Sequence, residues 1–163
     1  MTNDHVALIR MFYDAFGRGD TDAMAECYHP EVSFGDPIFQ ELEGRERVMG
    51  RWRMLLASAK GFRLTLWDVS ADRYHGRARL TMRYVLTATG RQVVHDVDAA
   101  LVFDEGLIVR HHDDFDFRRW SRMALGKPRG PLFGWTPTLR GAVRTGARQA
   151  LDRFLEAGAG QVR

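Results

Sequence analysis

The sequence predicts an α+β domain, and three observations carry that reading. Apolar residues recur at helical spacing in the first third of the chain. From Phe62 the period changes to two. The breaks between the later segments are only three residues long. Connections that short join antiparallel neighbours, so the second half reads as a meander whose one face the preceding helices must cover. At 163 residues and 45% apolar, the chain is long enough to bury one core.

The first helix is expected to start at a cap, Asn3 or Asp4, and to end at Gly17 and Gly19, with Leu8, Met11, Phe12, Ala15 and Phe16 as its buried stripe. Asp20 caps a shorter second helix through Met24, Cys27 and Tyr28, which Pro30 stops. A brief strand, Val32-Ser33-Phe34, breaks at Asp36-Pro37. A third helix fits Arg45 to Ser58, with Val48, Trp52 and Leu55 on one side. Four strands follow, at Phe62–Ser70, Tyr74–Ala88, Gln92–Phe103 and Leu107–Phe117. In the second of them Ala78, Leu80, Met82, Tyr84 and Leu86 face one way, and Arg77, Arg79, Thr81 and Arg83 the other. In the last, Leu107, Val109, His111, Asp113 and Phe115 share the inward face, while Asp116 caps a helical turn near Arg118. Gly126 to Pro137 reads as a connector carrying Leu132, Phe133 and Trp135, and Thr138 to Ala157 as a last helix.

Charge divides the chain. Residues 1–117 hold 14 Lys and Arg against 19 Asp and Glu, a balance of −5, whereas residues 118–163 reach +8. The high isoelectric point belongs to the tail, so no nucleic-acid footprint is read over the body. The organisation expected is a domain over 1–120 and a basic helical C-terminal extension over 121–163. Cys27 is the single cysteine, which excludes an intrachain disulfide and a multi-cysteine zinc site. No targeting leader or membrane-spanning run is visible, so a cytoplasmic setting is expected. The last helix is basic and amphipathic. Residues 132–157 are therefore a candidate for contact with an anionic membrane surface, against packing of the same apolar stripe on the domain.

Several stretches resemble the NTF2-like superfamily, in its SnoaL-like, ketosteroid isomerase and limonene epoxide hydrolase branches. They are Phe16-Gly17-Arg18-Gly19-Asp20, Gly35-Asp36-Pro37, Gly44-Arg45-Glu46 and the closing Asp113-Asp114-Phe115-Asp116. The resemblance covers roughly residues 4–120. It implies a cone-shaped barrel, with N-terminal helices packed on a curved antiparallel sheet around a deep pocket, commonly dimeric through the sheet. Asp36 stands where the isomerases place their general base, and where the epoxide hydrolases place a water-positioning amide. Asp113 stands where the epoxide hydrolases keep an acid; SnoaL-like cyclases also use an acid on this last strand. The isomerases' oxyanion donors would fall at Phe12 and Ala99, neither of which can donate, so ketosteroid isomerisation is not expected.

Asp36 and Asp113 are thus the candidate catalytic pair, opposed across one pocket as acid/base work requires. His111 and His95 have the parity of the inward face, Tyr84 adds a hydroxyl, and Phe12, Phe16 and Trp52 are expected as apolar wall. Adjacent strand residues point oppositely, so at most two of His111, His112, Asp113 and Asp114 could serve one ion, and no metal site is expected. The expectation is a small apolar ligand handled by cofactor-free epoxide hydrolysis, isomerisation or cyclisation. The competing expectation is a non-catalytic ligand-binding or protein-interaction domain, membrane-associated through its tail. Separation of Asp36 from Asp113 by packed side chains would favour the latter.

Overall fold

The structure, a computed structural model, describes residues 2–126 and 137–160. Three helices and a short hairpin precede and interleave the sheet: α1 Thr2–Arg18, α2 Thr21–Glu26, β1 Tyr28–Gly35, β2 Leu42–Glu43 and α3 Arg45–Ser58. The meander is β3 Ala59–Ala71, β4 His75–Leu86, β5 Arg91–Asp104 and β6 Leu107–Asp114, followed by α4 Phe117–Leu125 and α5 Pro137–Gly160. The expected connector lies outside the described residues except at its ends, Gly126 and Pro137, and Leu132, Phe133 and Trp135 fall with it.

One six-stranded sheet runs in the order β2-β1-β6-β5-β4-β3. The meander is antiparallel as its short turns require, but the sheet is mixed, because β1 pairs parallel with β6. That pair is closed through α3 and the whole meander, and a short-connection argument cannot see it. Register shifts between Lys60 and Arg63 and between Leu66 and Asp68 bend β3, where the sheet folds over the helices. On β4 the alternation holds: Ala78, Leu80, Met82 and Tyr84 are buried, and Arg77, Arg79 and Arg83 are exposed.

Four expectations need correcting. The α1 stripe is rotated: Ile9, Phe12, Tyr13 and Phe16 are buried, whereas Met11 is 48% exposed. Tyr28 opens β1 instead of closing α2, and Pro30 lies inside the strand. The ladder to β6 is irregular between Tyr28 and Ser33, so no backbone N–H is missed at Pro30. In β6 a shift between Val102 and Phe103 places Ile108, not Val109, on the buried side, and restores the expected parity by His111. The strand also ends at Asp114 instead of Phe117. Asp116 accepts a hydrogen bond from the Arg119 backbone N–H at 3.0 Å and starts α4, which therefore runs across position 120.

Phe12, Phe16, Phe34 and Trp52 stack edge to face where α1, β1 and α3 meet, and burial of each contributes about 1.5–3 kcal/mol. The extension is docked through α3. Gly50 has no side chain, and a Cβ there would collide with Leu155, so α5 lies directly on the α3 backbone with Leu151 buried. Arg47 pairs with Asp152 at 2.7 Å, Arg144 donates to the Pro37 carbonyl at 3.0 Å, and Arg148 donates to the Glu41 carbonyl at 3.2 Å. Among the described residues no helix is long and apolar enough to cross a membrane.

Candidate functional site

A cavity of about 150 Å³ opens between the concave face of the sheet and the helices. Met82, Tyr84 and Leu86 from β4, His95 from β5 and Asp113 from β6 form its sheet wall. Arg51, Met54 and Leu55 from α3 stand opposite, Ile38 and Phe39 form a side, and Trp120 of α4 and Ala147 of α5 complete the rim. Larger depressions of about 630 and 540 Å³ lie outside the barrel, one beside the α1 N-terminus and one on the outer sheet face. Neither touches a buried side-chain polar atom that lacks a hydrogen bond. The cavity does: Nε and Nη1 of Arg51 and Nδ1 of His95 are buried and unpaired among the described residues. Buried polar atoms are nearly always satisfied, so three orphans carried by two of its lining residues single this cavity out.

Asp113 is 2% exposed, and its Oδ1 lies 2.9 Å from Nε2 of His111. The other ring nitrogen of His111 is 2.6 Å from the Tyr28 hydroxyl, which also accepts from the Trp52 indole N–H at 3.1 Å. Indole can only donate, so the Tyr28 oxygen accepts there and its phenol proton is free to go to Nδ1 of His111. The proton on Nε2 then faces Asp113, with the Tyr13 hydroxyl alongside at 3.2 Å. Burial, reinforced by the Asp113 charge, pushes the Tyr13 phenol well above its ordinary value. Burial likewise raises that of Tyr28, so both stay protonated. The assembly fixes one carboxylate oxygen of Asp113 and leaves Oδ2 with no hydrogen bond from any described residue.

Asp36 is held differently. Its Oδ1 accepts the backbone N–H groups of Ile38 at 2.7 Å and Phe39 at 2.6 Å, closing the turn that Pro37 begins. Its Oδ2 accepts from Nη2 of Arg51 at 2.8 Å. The guanidinium lies over the rings of Trp52 and Phe34, at 4.2 and 5.1 Å from their centres. Arg51, not Asp36, lines the cavity, together with Asp113.

His95 packs edge-on to Phe115 and Tyr84, with ring centres 5.0 and 6.2 Å away. Burial outweighs the nearby Asp113 and lowers its pKa to about 4, so the imidazole is neutral at pH 7. The Tyr84 hydroxyl accepts from the Trp120 indole at 3.0 Å. Of the residues named from sequence, the cavity collects Asp113, His95 and Tyr84. His111 sits behind Asp113, Asp36 behind Arg51, and Phe12, Phe16 and Trp52 are fully buried in the aromatic core without reaching the cavity. Sequence reasoning misses Arg51, and it reads Tyr13 and Tyr28 as packing. Arg51 had a signal, a charge three residues after Val48 and four before Leu55 on the buried side of α3. Cys27 is buried, its thiol pushed up to about 11 mainly by desolvation. Among the described residues no group of three or more His, Cys, Asp or Glu is placed to share an ion.

The SnoaL-like domain profile matches residues 9–111. Among solved structures the chain is similar to an LEH-like epoxide hydrolase of M. tuberculosis, at 18% identity and a TM-score of 0.65, covering 76% of this chain and 91% of that one. It is also similar to TsrD from Streptomyces laurentii, at 22% identity and a TM-score of 0.68, covering 77% and 97%. An NTF2-like protein of unknown function from Burkholderia pseudomallei gives 21% identity and a TM-score of 0.68, over 76% and 98%. At such identities the likeness is one of fold. Among curated proteins none matches the chain.

Proposed function

We propose that this chain, which belongs to the SnoaL-like domain family, binds a small, mainly apolar molecule in the cavity at Asp113 and carries out cofactor-free acid/base chemistry on it. The observation that supports this reading is that Arg51, His95 and Asp113, all buried and incompletely hydrogen-bonded among the described residues, line one otherwise apolar space. Asp113 is the proton-transferring group. His111 holds its Oδ1, so Oδ2 can exchange a proton with the ligand. Arg51 is the opposing group, steadied by Asp36 and able to stabilise negative charge that develops on the ligand. Asp36 is therefore a positioning residue in this proposal, acting through Arg51. Opening of an epoxide suits the pair: Arg51 stabilises the oxygen as its C–O bond breaks, Asp113 takes a proton from the attacking water, and that proton then passes to the alkoxide to give a diol.

The placement of Asp36 behind Arg51 favours a second reading, ligand binding without turnover in the same cavity. Native mass spectrometry of freshly purified protein, compared with an Ala147→Trp variant that fills the rim, tests the shared part. A small molecule retained by the wild type and lost from the variant is the expected result, and equal retention by both would remove the cavity from consideration. The two readings part at Asp113→Asn, which keeps an oxygen for His111. Acid/base catalysis predicts a fall in kcat of about 10²- to 10⁴-fold with ligand binding kept. An unchanged turnover rate would discard Asp113 as the proton-transferring group.

A further inference from the structure

On the acid/base reading proposed above, negative charge builds on a ligand oxygen, and the site needs a hydrogen-bond donor that touches it. Phe12 and Ala99, where isomerase-like donors would fall, have none in their side chains. Arg51 does not make the contact either. Its Nε and Nη1 are shut off from solvent and its Nη2 is held by Asp36, so its charge acts at a distance. The touching donor has to come from another lining residue.

Two lining residues fit. In the β4–β5 ladder Tyr84 stands opposite Val93 and His95 opposite Met82, so the two are diagonal neighbours on one face. Their ring centres lie 6.2 Å apart, with the planes at 77°. The Tyr84 oxygen accepts the Trp120 indole N–H at 3.0 Å, and indole cannot accept in return. The phenol proton therefore points away from Trp120, and no described residue takes it. On His95, Nδ1 is shut off and unpartnered, whereas Nε2 makes no hydrogen bond and remains accessible. Buried N–H groups are orphaned more rarely than buried lone pairs, which puts the ring proton on Nε2. Burial raises the Tyr84 phenol above its ordinary value and lowers the imidazole to about 4. At pH 7 both are uncharged, and each has one proton to offer.

We propose that Tyr84 and His95 are the oxyanion-binding pair of this cavity, with Asp113 as the base and Trp120 as a positioning residue that aims the phenol. The O–H and N–H hold the charge as it builds. Neither gives up its proton; the proton that Asp113 has taken returns to the oxygen. Trp120 belongs to α4, beyond the matched residues 9–111, so half of the donor pair depends on a helix outside that match.

The test uses cyclohexanone as a probe, because a space of about 150 Å³ takes one small ring, and methylenecyclohexane as its oxygen-free control. Both are titrated into the full chain by NMR, and infrared spectroscopy reads the carbonyl stretch of bound cyclohexanone. The wild type should prefer cyclohexanone to the control, with the stretch lowered by two hydrogen bonds. Tyr84→Phe and His95→Leu should each weaken cyclohexanone about two- to tenfold relative to the control and reverse part of the shift. In the double variant, shown to be folded by thermal melts, preference and shift should both vanish. Trp120→Phe should reverse part of the shift with Tyr84 still present, which a packing role alone would not do. An unchanged stretch in the double variant would overturn the donor pair while leaving the cavity as the site. Loss confined to one single variant would overturn the pairing. Cyclohexanone binding that survives Ala147→Trp, or no binding of it at all, would instead overturn the cavity reading on which the pair rests.

Discussion

Two polar clusters lie on the same concave face and obey opposite rules. Below Asp113, the side chains of Trp52, Tyr28 and His111 hydrogen-bond in a chain that ends on the carboxylate, with Tyr13 against the imidazole. Above it, Arg51 and His95 leave three buried nitrogens without partners. The lower cluster is complete without a ligand. The upper one is incomplete, although the helices that bury it are well packed. Asp113 touches both, and Arg51 is satisfied on its Asp36 side alone. Completeness therefore separates the polar groups that knit the core from those that line the cavity.

The largest effect that would break this contrast is removal of Asp36. Asp36→Ala strands a guanidinium only 8% exposed, and should cost about 3–5 kcal/mol in denaturant unfolding. Next comes pH. His95 is neutral in the fold, with its pKa lowered to about 4 from 6.5, so below pH 6.5 the unfolded chain binds a proton that the native chain refuses. Its contribution is intact above pH 6.5 and is lost as pH falls toward 4, by about 3 kcal/mol in all. Wild type and His95→Leu melted across that window should diverge as pH falls, the wild type losing stability that the variant keeps, and parallel curves would show that His95 does not titrate as a buried group. Tyr28→Phe tests the complete cluster: it leaves Nδ1 of His111 and the Trp52 indole unpaired and should cost about 1–3 kcal/mol. The smallest effect belongs to the open cluster. At pH 7, His95→Leu removes an orphaned nitrogen, should move stability by less than about 1 kcal/mol, and should still weaken ligand binding.

Much of the scaffold was legible because its periods are local. The α3 bounds, Arg45 to Ser58, and the alternation of β4 follow from residue spacing alone. What failed was non-local. Tyr28 looks helical beside Met24 and Cys27, and only pairing with Ile108 on β6 makes it a strand residue. Met11 fits an apolar stripe as well as Tyr13 does, and the choice between them was made by His111, 98 positions away, which gives the phenol a partner. Within the site, Asp113, His95 and Tyr84 could be read from strand parity. Asp36 could be found but not its partner, since nothing in Gly35-Asp36-Pro37 reports that an arginine 15 residues later will reach its carboxylate. Trp52 was placed on the correct helix face, yet it fills the core and donates to Tyr28 instead of lining the cavity.

Gly50 carries a consequence of another kind. A glycine inside α3 costs about 1 kcal/mol against alanine, and here it gives α5 a seat directly on backbone. That helix contributes Ala147 to the rim and lies beyond the matched residues 9–111. The helix is held from two sides, by Leu151 and Leu155 against Gly50 and by Arg144 and Arg148 on the Pro37 and Glu41 carbonyls. The sheet and α3 thus shape the cavity, while the seat of Leu151 and Leu155 on Gly50 decides how closely α5 shuts its rim.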